Sequence, residues 1–199
     1  MKRMRTLTLV LALAFAVPAL AQENKKKIYQ GFDGGMMVHT GYLSGVLDPL
    51  GYEAKGAPLG IGGAIHIHLG DHFRVGGEGY VSSLSQLGNG SYLQYGWGGL
   101  LADWYTVLGR FQPYVGLTLG GGAMTTLLMT QTPAAPWQPV DGSYYHKQAF
   151  MAITPFLGCD FILTKAIHLT LKVDYLCALS RGKLLPHGPR IYFGFLFYR

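Results

Sequence analysis

Three classes are excluded by what this chain has little of. Cysteine occurs only at Cys159 and Cys177, too few for a disulfide framework. Beyond the N-terminus no uninterrupted apolar run approaches the roughly 20 residues that a spanning helix needs, although hydrophobic residues make up 49% of the chain. Charged residues are only 13%, and the single basic run, Lys25-Lys26-Lys27, reads as a solvated tail rather than a nucleic-acid surface. Apolar content this high, but dispersed, requires an architecture that spreads it in alternation.

The N-terminus supplies its own signal. Met1-Lys2-Arg3-Met4-Arg5 precedes an apolar stretch from Leu7 to Ala16 and the small-residue site Ala19-Leu20-Ala21. Basic start, short apolar core and A-x-A site predict a secretory signal peptide over 1–21. Lys2, Arg3 and Arg5 would leave with it, so 13 basic residues face 10 acidic ones in the mature chain, a net charge of +3. That balance is too mild for nucleic-acid binding. A periplasmic tail is expected over 22–30 and a barrel domain over 31–199.

Eight stretches alternate apolar with polar or small residues: 31–42, 59–69, 73–83, 92–105, 111–124, 149–161, 167–178 and 190–198. In the second, Ile61, Ile65, Ile67 and Leu69 share one parity, while Gly60, Gly62, Ala64, His66 and His68 share the other. Successive side chains of a strand point to opposite faces, so one face suits lipid and the other a polar interior. Each stretch is near the ~9–11 residues that a tilted spanning strand needs. The connections at 70–72, 106–110 and 162–166 are tight. Those beginning at Leu43, Leu84, Thr125 and Leu179 are longer and rich in Gly, Pro, Asn or Ser. This predicts an all-β, single eight-stranded antiparallel up-and-down transmembrane barrel. Short periplasmic turns, outer loops and both termini in the periplasm follow. A β-sandwich also alternates, but here the charges occupy the face opposite the apolar one.

Opposed residues of a hairpin share a face. The 70–72 turn sets His68 against Arg74, Ala64 against Glu78 and Gly62 against Tyr80. A turn at 107–110 sets Trp97 against Gly120 and Tyr95 against Gly122. Outward-parity Tyr42 and Tyr175 would lie at the outer interface. Phe73, Trp104, Phe111, Phe161 and Phe197 would lie at the periplasmic one. Cys159 falls opposite Leu171, which predicts two free, lipid-facing thiols.

The segment Pro113-Tyr114-Val115-Gly116-Leu117-Thr118-Leu119-Gly120-Gly121-Gly122 and the C-terminal Tyr192-Phe193-Gly194-Phe195-Leu196-Phe197-Tyr198-Arg199 resemble small outer-membrane barrels of the OmpA transmembrane-domain and porin-like kind. The resemblance covers essentially all the mature chain. It implies residence in the outer membrane of a Gram-negative-type bacterium, contact with its lipids, and a last-strand signal for the barrel-assembly machinery. Tyr192, Gly194 and Phe197 match that signal, and Arg199 stands where its last aromatic falls.

The inward parity collects Asp33, His39, His66, His68, Arg74, Glu78, Tyr80, Asp103, Gln112, Tyr114, Asp160, His168, Lys172, Asp174 and Arg190. Side chains fill an eight-stranded barrel, so these charges need partners. The expected network comprises Asp33, Arg74, Glu78, Asp103, Asp160, Lys172 and Asp174, with Glu78 or Asp174 meeting Lys172 and Arg74. This is the signature of a structural or narrow porin-like protein that needs no cofactor. His66-x-His68 with His39 or Asp33 is the one metal-site alternative. Lipid-modifying chemistry would need a nucleophile and base near the outer face. Ser82 and Ser83 lie there with His39 and Glu78 in reach, but no tight His-x-Ser arrangement occurs and no catalytic residue is assigned. The loops, with Pro133, Pro136, Trp137, Pro139, Tyr144 and Tyr145 in one and Pro49, Tyr52 and Pro58 in another, suit an extracellular ligand or partner.

Overall fold

The computed structural model describes residues 28–47, 53–84, 91–129, 143–179 and 186–199. The signal-peptide reading, the lysine run and the Pro133–Pro139 and Pro49–Tyr52 loop positions lie outside them. Among the described residues ten strands form in chain order: β1 (Tyr29–Gly41), β2 (Leu43–Leu47), β3 (Glu53–Gly56), β4 (Leu59–Leu69), β5 (Phe73–Leu84), β6 (Tyr92–Tyr105), β7 (Phe111–Met129), β8 (Ser143–Ile162), β9 (Ile167–Leu179) and β10 (His187–Tyr198). Eight of them, β1 and β4 to β10, pair antiparallel in sequence order. The ring closes where β1 meets β10, from Asp33↔Tyr198 to Gly41↔Arg190. Closure abolishes sheet edges around the wall, and the two ends of the chain meet there, Phe32 and Arg199 exchanging backbone hydrogen bonds.

The structure corrects the expected boundaries. Tyr29 and Gln30 belong to β1 rather than to a tail. The first long loop contains two short strands, β2 and β3, which pair antiparallel. That hairpin is anchored where Leu43 is buried with Leu84, Leu93 and Leu176 at the loop end of the barrel. β7 and β8 run on to Met129 and back from Ser143 in one unbroken register.

Tight turns set the register. Leu69 pairs with Phe73 across Gly70–His72, giving all three opposed pairs expected for that hairpin. In the β6–β7 hairpin the pairing is two residues off the expectation: Trp97 opposes Gly122 and Tyr95 opposes Met124. The turn is the shorter Gly109–Arg110, closed by a Leu108↔Phe111 bridge, with Gly109 at φ +66°, a backbone state that glycine adopts without steric cost. A two-residue slip preserves which face each side chain takes, so the large-against-small packing survives at Trp97, while Tyr95 meets Met124 in place of a glycine. A Cβ on Gly122 would stand 2.8 Å from the Trp97 Cβ and 2.9 Å from the Phe150 ring.

The wall is inverted relative to a water-soluble protein. Leu100 is 78% exposed and Ile65 62%, while all the inward polar residues named above are buried. Tyr42, Phe73, Trp104, Phe111 and Phe197 are exposed on this surface, and Phe73 pairs directly with Trp104. Cys159 opposes Leu171, and both cysteines are free and half-buried. Ile65→Arg is expected to cost roughly 2–4 kcal/mol, the penalty for a charge on the lipid face near the midplane. The check is a urea unfolding midpoint of the barrel refolded in lipid vesicles.

Candidate functional site: the charged interior

Three polar layers stack along the barrel axis. At the turn end, cross-strand pairing puts Arg74 beside both His68 and Asp103. Its Nε donates to Asp103 at 2.8 Å and its Nη1 to Asp160 at 3.0 Å, with Asp33 Oδ2 3.8 Å away. The guanidinium lies over the rings of Tyr105 and Tyr114, 5.1 and 4.7 Å from their centroids, where ring quadrupoles favour a cation. Asp33 uses both carboxylate oxygens, one 2.5 Å from His66 Nδ1 and the other 2.6 Å from His68 Nε2. His68 also meets the Tyr105 hydroxyl at 3.2 Å.

In the middle layer Glu78 and Lys172 meet across the lumen at 2.5 Å. Glu78 accepts further bonds from Thr118 at 2.6 Å and Tyr80 at 3.1 Å. The Lys172 ammonium lies 4.3 Å from the centre of the Phe156 ring and 5.2 Å from that of Tyr192. Each charge therefore meets the conditions under which a buried pair is tolerated: a partner, plus hydrogen bonds or ring faces for its remaining valences.

At the loop end Arg190 and Asp174, direct cross-strand partners, form a two-pronged pair with both contacts at 2.8 Å. Such a fork fixes orientation as well as charge. Arg190 stacks over Trp97 at 4.4 Å.

These layers rearrange the expected network. Glu78 does meet Lys172, but Arg74 serves Asp103 and Asp160, and Asp174 is held by Arg190. Arg190 shares the inward parity but was absent from the expected network. Its signal was available, since β9–β10 pairing opposes it to Asp174. The residues of the metal reading are brought together only in part. His66 and His68 converge on Asp33, but His39 lies six residues along β1, about 20 Å at the strand rise, and bonds to Ser82 instead. Among the described residues no group of three or more His, Cys, Asp or Glu is arranged to hold a metal ion.

His39 Nε2 and Ser82 Oγ are 2.7 Å apart, the geometry of a base and nucleophile. Glu78, the acid expected nearby, is engaged with Lys172. His39 Nδ1 has no partner among the described residues, and Ser82 is 1% exposed. Both side chains are buried, and no carboxylate among the described residues orients the His39 ring.

Between the turn-end and middle layers a cavity of about 10 Å³ remains, lined by residues that include His66, Arg74, Glu78 and Lys172. That is about one water.

A closed antiparallel ring of eight strands, apolar outside and ionic inside, is the architecture of the small outer-membrane β-barrels. Solved structures bear this out. Neisserial surface protein A is 14% identical, with 86% of this chain covering 99% of that one at a TM-score of 0.60. The outer membrane protein OprG from Pseudomonas aeruginosa is likewise 14% identical, over 86% of this chain and 97% of that one, at 0.55. Ail, the attachment invasion locus protein of Yersinia pestis, solved in complex with the heparin analogue sucrose octasulfate, is 10% identical over 85% and 100%, at 0.51. No protein-family model and no curated protein matches the chain. The likeness is one of fold.

Proposed function

We propose that this chain is an integral outer-membrane barrel with a structural, envelope-maintaining role, its interior a solid ionic strut rather than a pore. The observation that supports this is the filled interior of the described residues: the inward charges are buried and partnered, and the cavity between the turn-end and middle layers holds about one water. In the membrane the tight turns and both termini face the periplasm, after export by the 1–21 signal. Tyr192 and Gly194 on the inner face of β10, with exposed Phe197 on the outer face, serve as the signal read by the barrel-assembly machinery.

Conductance of the refolded protein in a planar bilayer tests this. The expected result is no reproducible current steps from a preparation shown to be folded. Regular steps of uniform size would replace the strut with a narrow porin-like function. An unchanged lipid A profile in a deletion strain is the matching expectation against a lipid-modifying enzyme, for which the buried Ser82–His39 pair lacks an orienting carboxylate.

A further inference from the structure

The inward glycines are forced by packing. A Cβ on Gly62, Gly76 or Gly120 would run into the backbone of Gly79, Ile65 or Gly98 across the ladder. Gly77 and Gly79, on the outward parity of β5, are not forced in this way. A Cβ there would meet nothing nearer than Gly99 O at 3.5 Å and Trp97 O at 3.8 Å, ordinary van der Waals contacts, and neither residue has a positive φ. Glycine weakens a strand interior, so what these two positions provide is the space outside them.

That space is an open groove of about 830 Å³ in the lipid-facing wall. Ladder pairing builds it from two rows across β1, β4 and β5: Gly34–Ile65–Gly77 and Met36–Gly63–Gly79. Exposed Phe32 and Phe197 bound it at the turn end.

Cations stand at that end. Arg199 and Phe32 exchange backbone hydrogen bonds at 2.8 and 3.0 Å, next to the Asp33↔Tyr198 pair, so the exposed Arg199 side chain shares the outward face of Phe32. Tyr198 N–H donates to Ala166, which brings exposed Lys165 of the β8–β9 turn alongside. Neither cation forms an ion pair among the described residues. Asp71, the acid of the 70–72 turn, accepts from the Gln30 amide at 3.0 Å. From Arg199 to the Gly63–Gly79 row is four residues of strand, about 13 Å, which lies within the ~15 Å that one leaflet's acyl chains occupy. Positive charge at the interface with an apolar groove beneath it suits a molecule with an anionic head and a hydrocarbon chain.

We propose that the groove binds one anionic phospholipid of the turn-side leaflet, an acyl chain lying over Gly63, Gly77 and Gly79 and the head-group phosphate on Arg199 and Lys165. The assignment rests on the reading of the turn end as the periplasmic rim, and not on the filled lumen, which conductance tests separately.

Native mass spectrometry of the full refolded chain tests it, with the protein released from detergent micelles that hold equal amounts of phosphatidylglycerol and phosphatidylcholine of the same acyl chains. The expected result is a single retained lipid, with phosphatidylglycerol favoured. Arg199→Gln and Lys165→Gln should each cut that preference roughly fivefold, the worth of one surface cation near an anionic lipid, and leave retention of phosphatidylcholine unchanged. Gly79→Leu fills the groove and should lower retention of both lipids alike, without changing their ratio. Gly77→Val makes the same test in the neighbouring row and keeps it decisive where Gly79→Leu refolds poorly. Lys25→Gln, Lys26→Gln and Lys27→Gln together should leave the preference in place, and excess glycerol phosphate, a head group without chains, should not displace the lipid. Equal retention of the two lipids, a preference that disappears with the lysine run, displacement by glycerol phosphate, or unchanged retention in the folded groove variants overturns the proposal.

Discussion

Lys172→Met is expected to destabilise the barrel by about 3–5 kcal/mol, the cost of leaving a buried charge unpaired. Methionine fills much of the lysine's apolar stem, so the loss is electrostatic rather than a cavity. Glu78 would keep its bonds from Thr118 and Tyr80, neither of which neutralises it. The reciprocal Glu78→Gln should cost less, because the stranded ammonium still lies against the faces of Phe156, Tyr192 and Tyr80, a partial replacement for the lost carboxylate. Combining the two changes should recover most of the loss, since no unpaired charge remains. Equilibrium urea unfolding of the refolded proteins reads all three. Single changes each within about 0.5 kcal/mol of wild type, the range of an ordinary surface substitution, would remove the ion pair from the account of stability.

Arg74→Met should be the most damaging single change in the lumen, at or above the top of that ~3–5 kcal/mol range. One guanidinium serves Asp103 and Asp160 directly and lies near Asp33, so its loss leaves three carboxylates around an uncharged side chain. Arg74→Lys separates charge from shape. It keeps the cation but not the fork that reaches two carboxylates from different nitrogens, and should fall between wild type and Arg74→Met. Refolding yield, followed by the urea midpoint of whatever folds, measures the series. An Arg74→Lys variant as damaged as Arg74→Met would mean that hydrogen-bond geometry, not charge, holds this end of the barrel together.

The legibility of these pairs in the sequence differs in kind. Arg74 with Asp103, and Asp174 with Arg190, are neighbours on paired strands, so correct register places them together. The β4–β5 register follows from Gly70–His72, while in β6–β7 the true two-residue turn at Gly109–Arg110 is shorter than the loop composition implies. The slip changed partners without changing faces. Leu43 and β2 were missed because a five-residue strand in a Gly- and Pro-rich loop carries no periodicity. Only the buried apolar cluster at the barrel's loop end gives it a place.

By itself the alternation of apolar and polar residues determined the number of strands in the closed ring, the face each side chain takes and the polar character of the interior. The strand period is two and a closed barrel has only an inside and an outside, so parity alone settles them. Which charge meets which across the lumen was decided only in three dimensions. Glu78 reaches Lys172 across 94 positions of sequence and Arg74 reaches Asp160 across 86. Those contacts depend on strand tilt, stagger and the length of each side chain over a closed cross-section, quantities that no single strand contains. The convergence of both His66 and His68 on one carboxylate, away from His39, was settled in the same way.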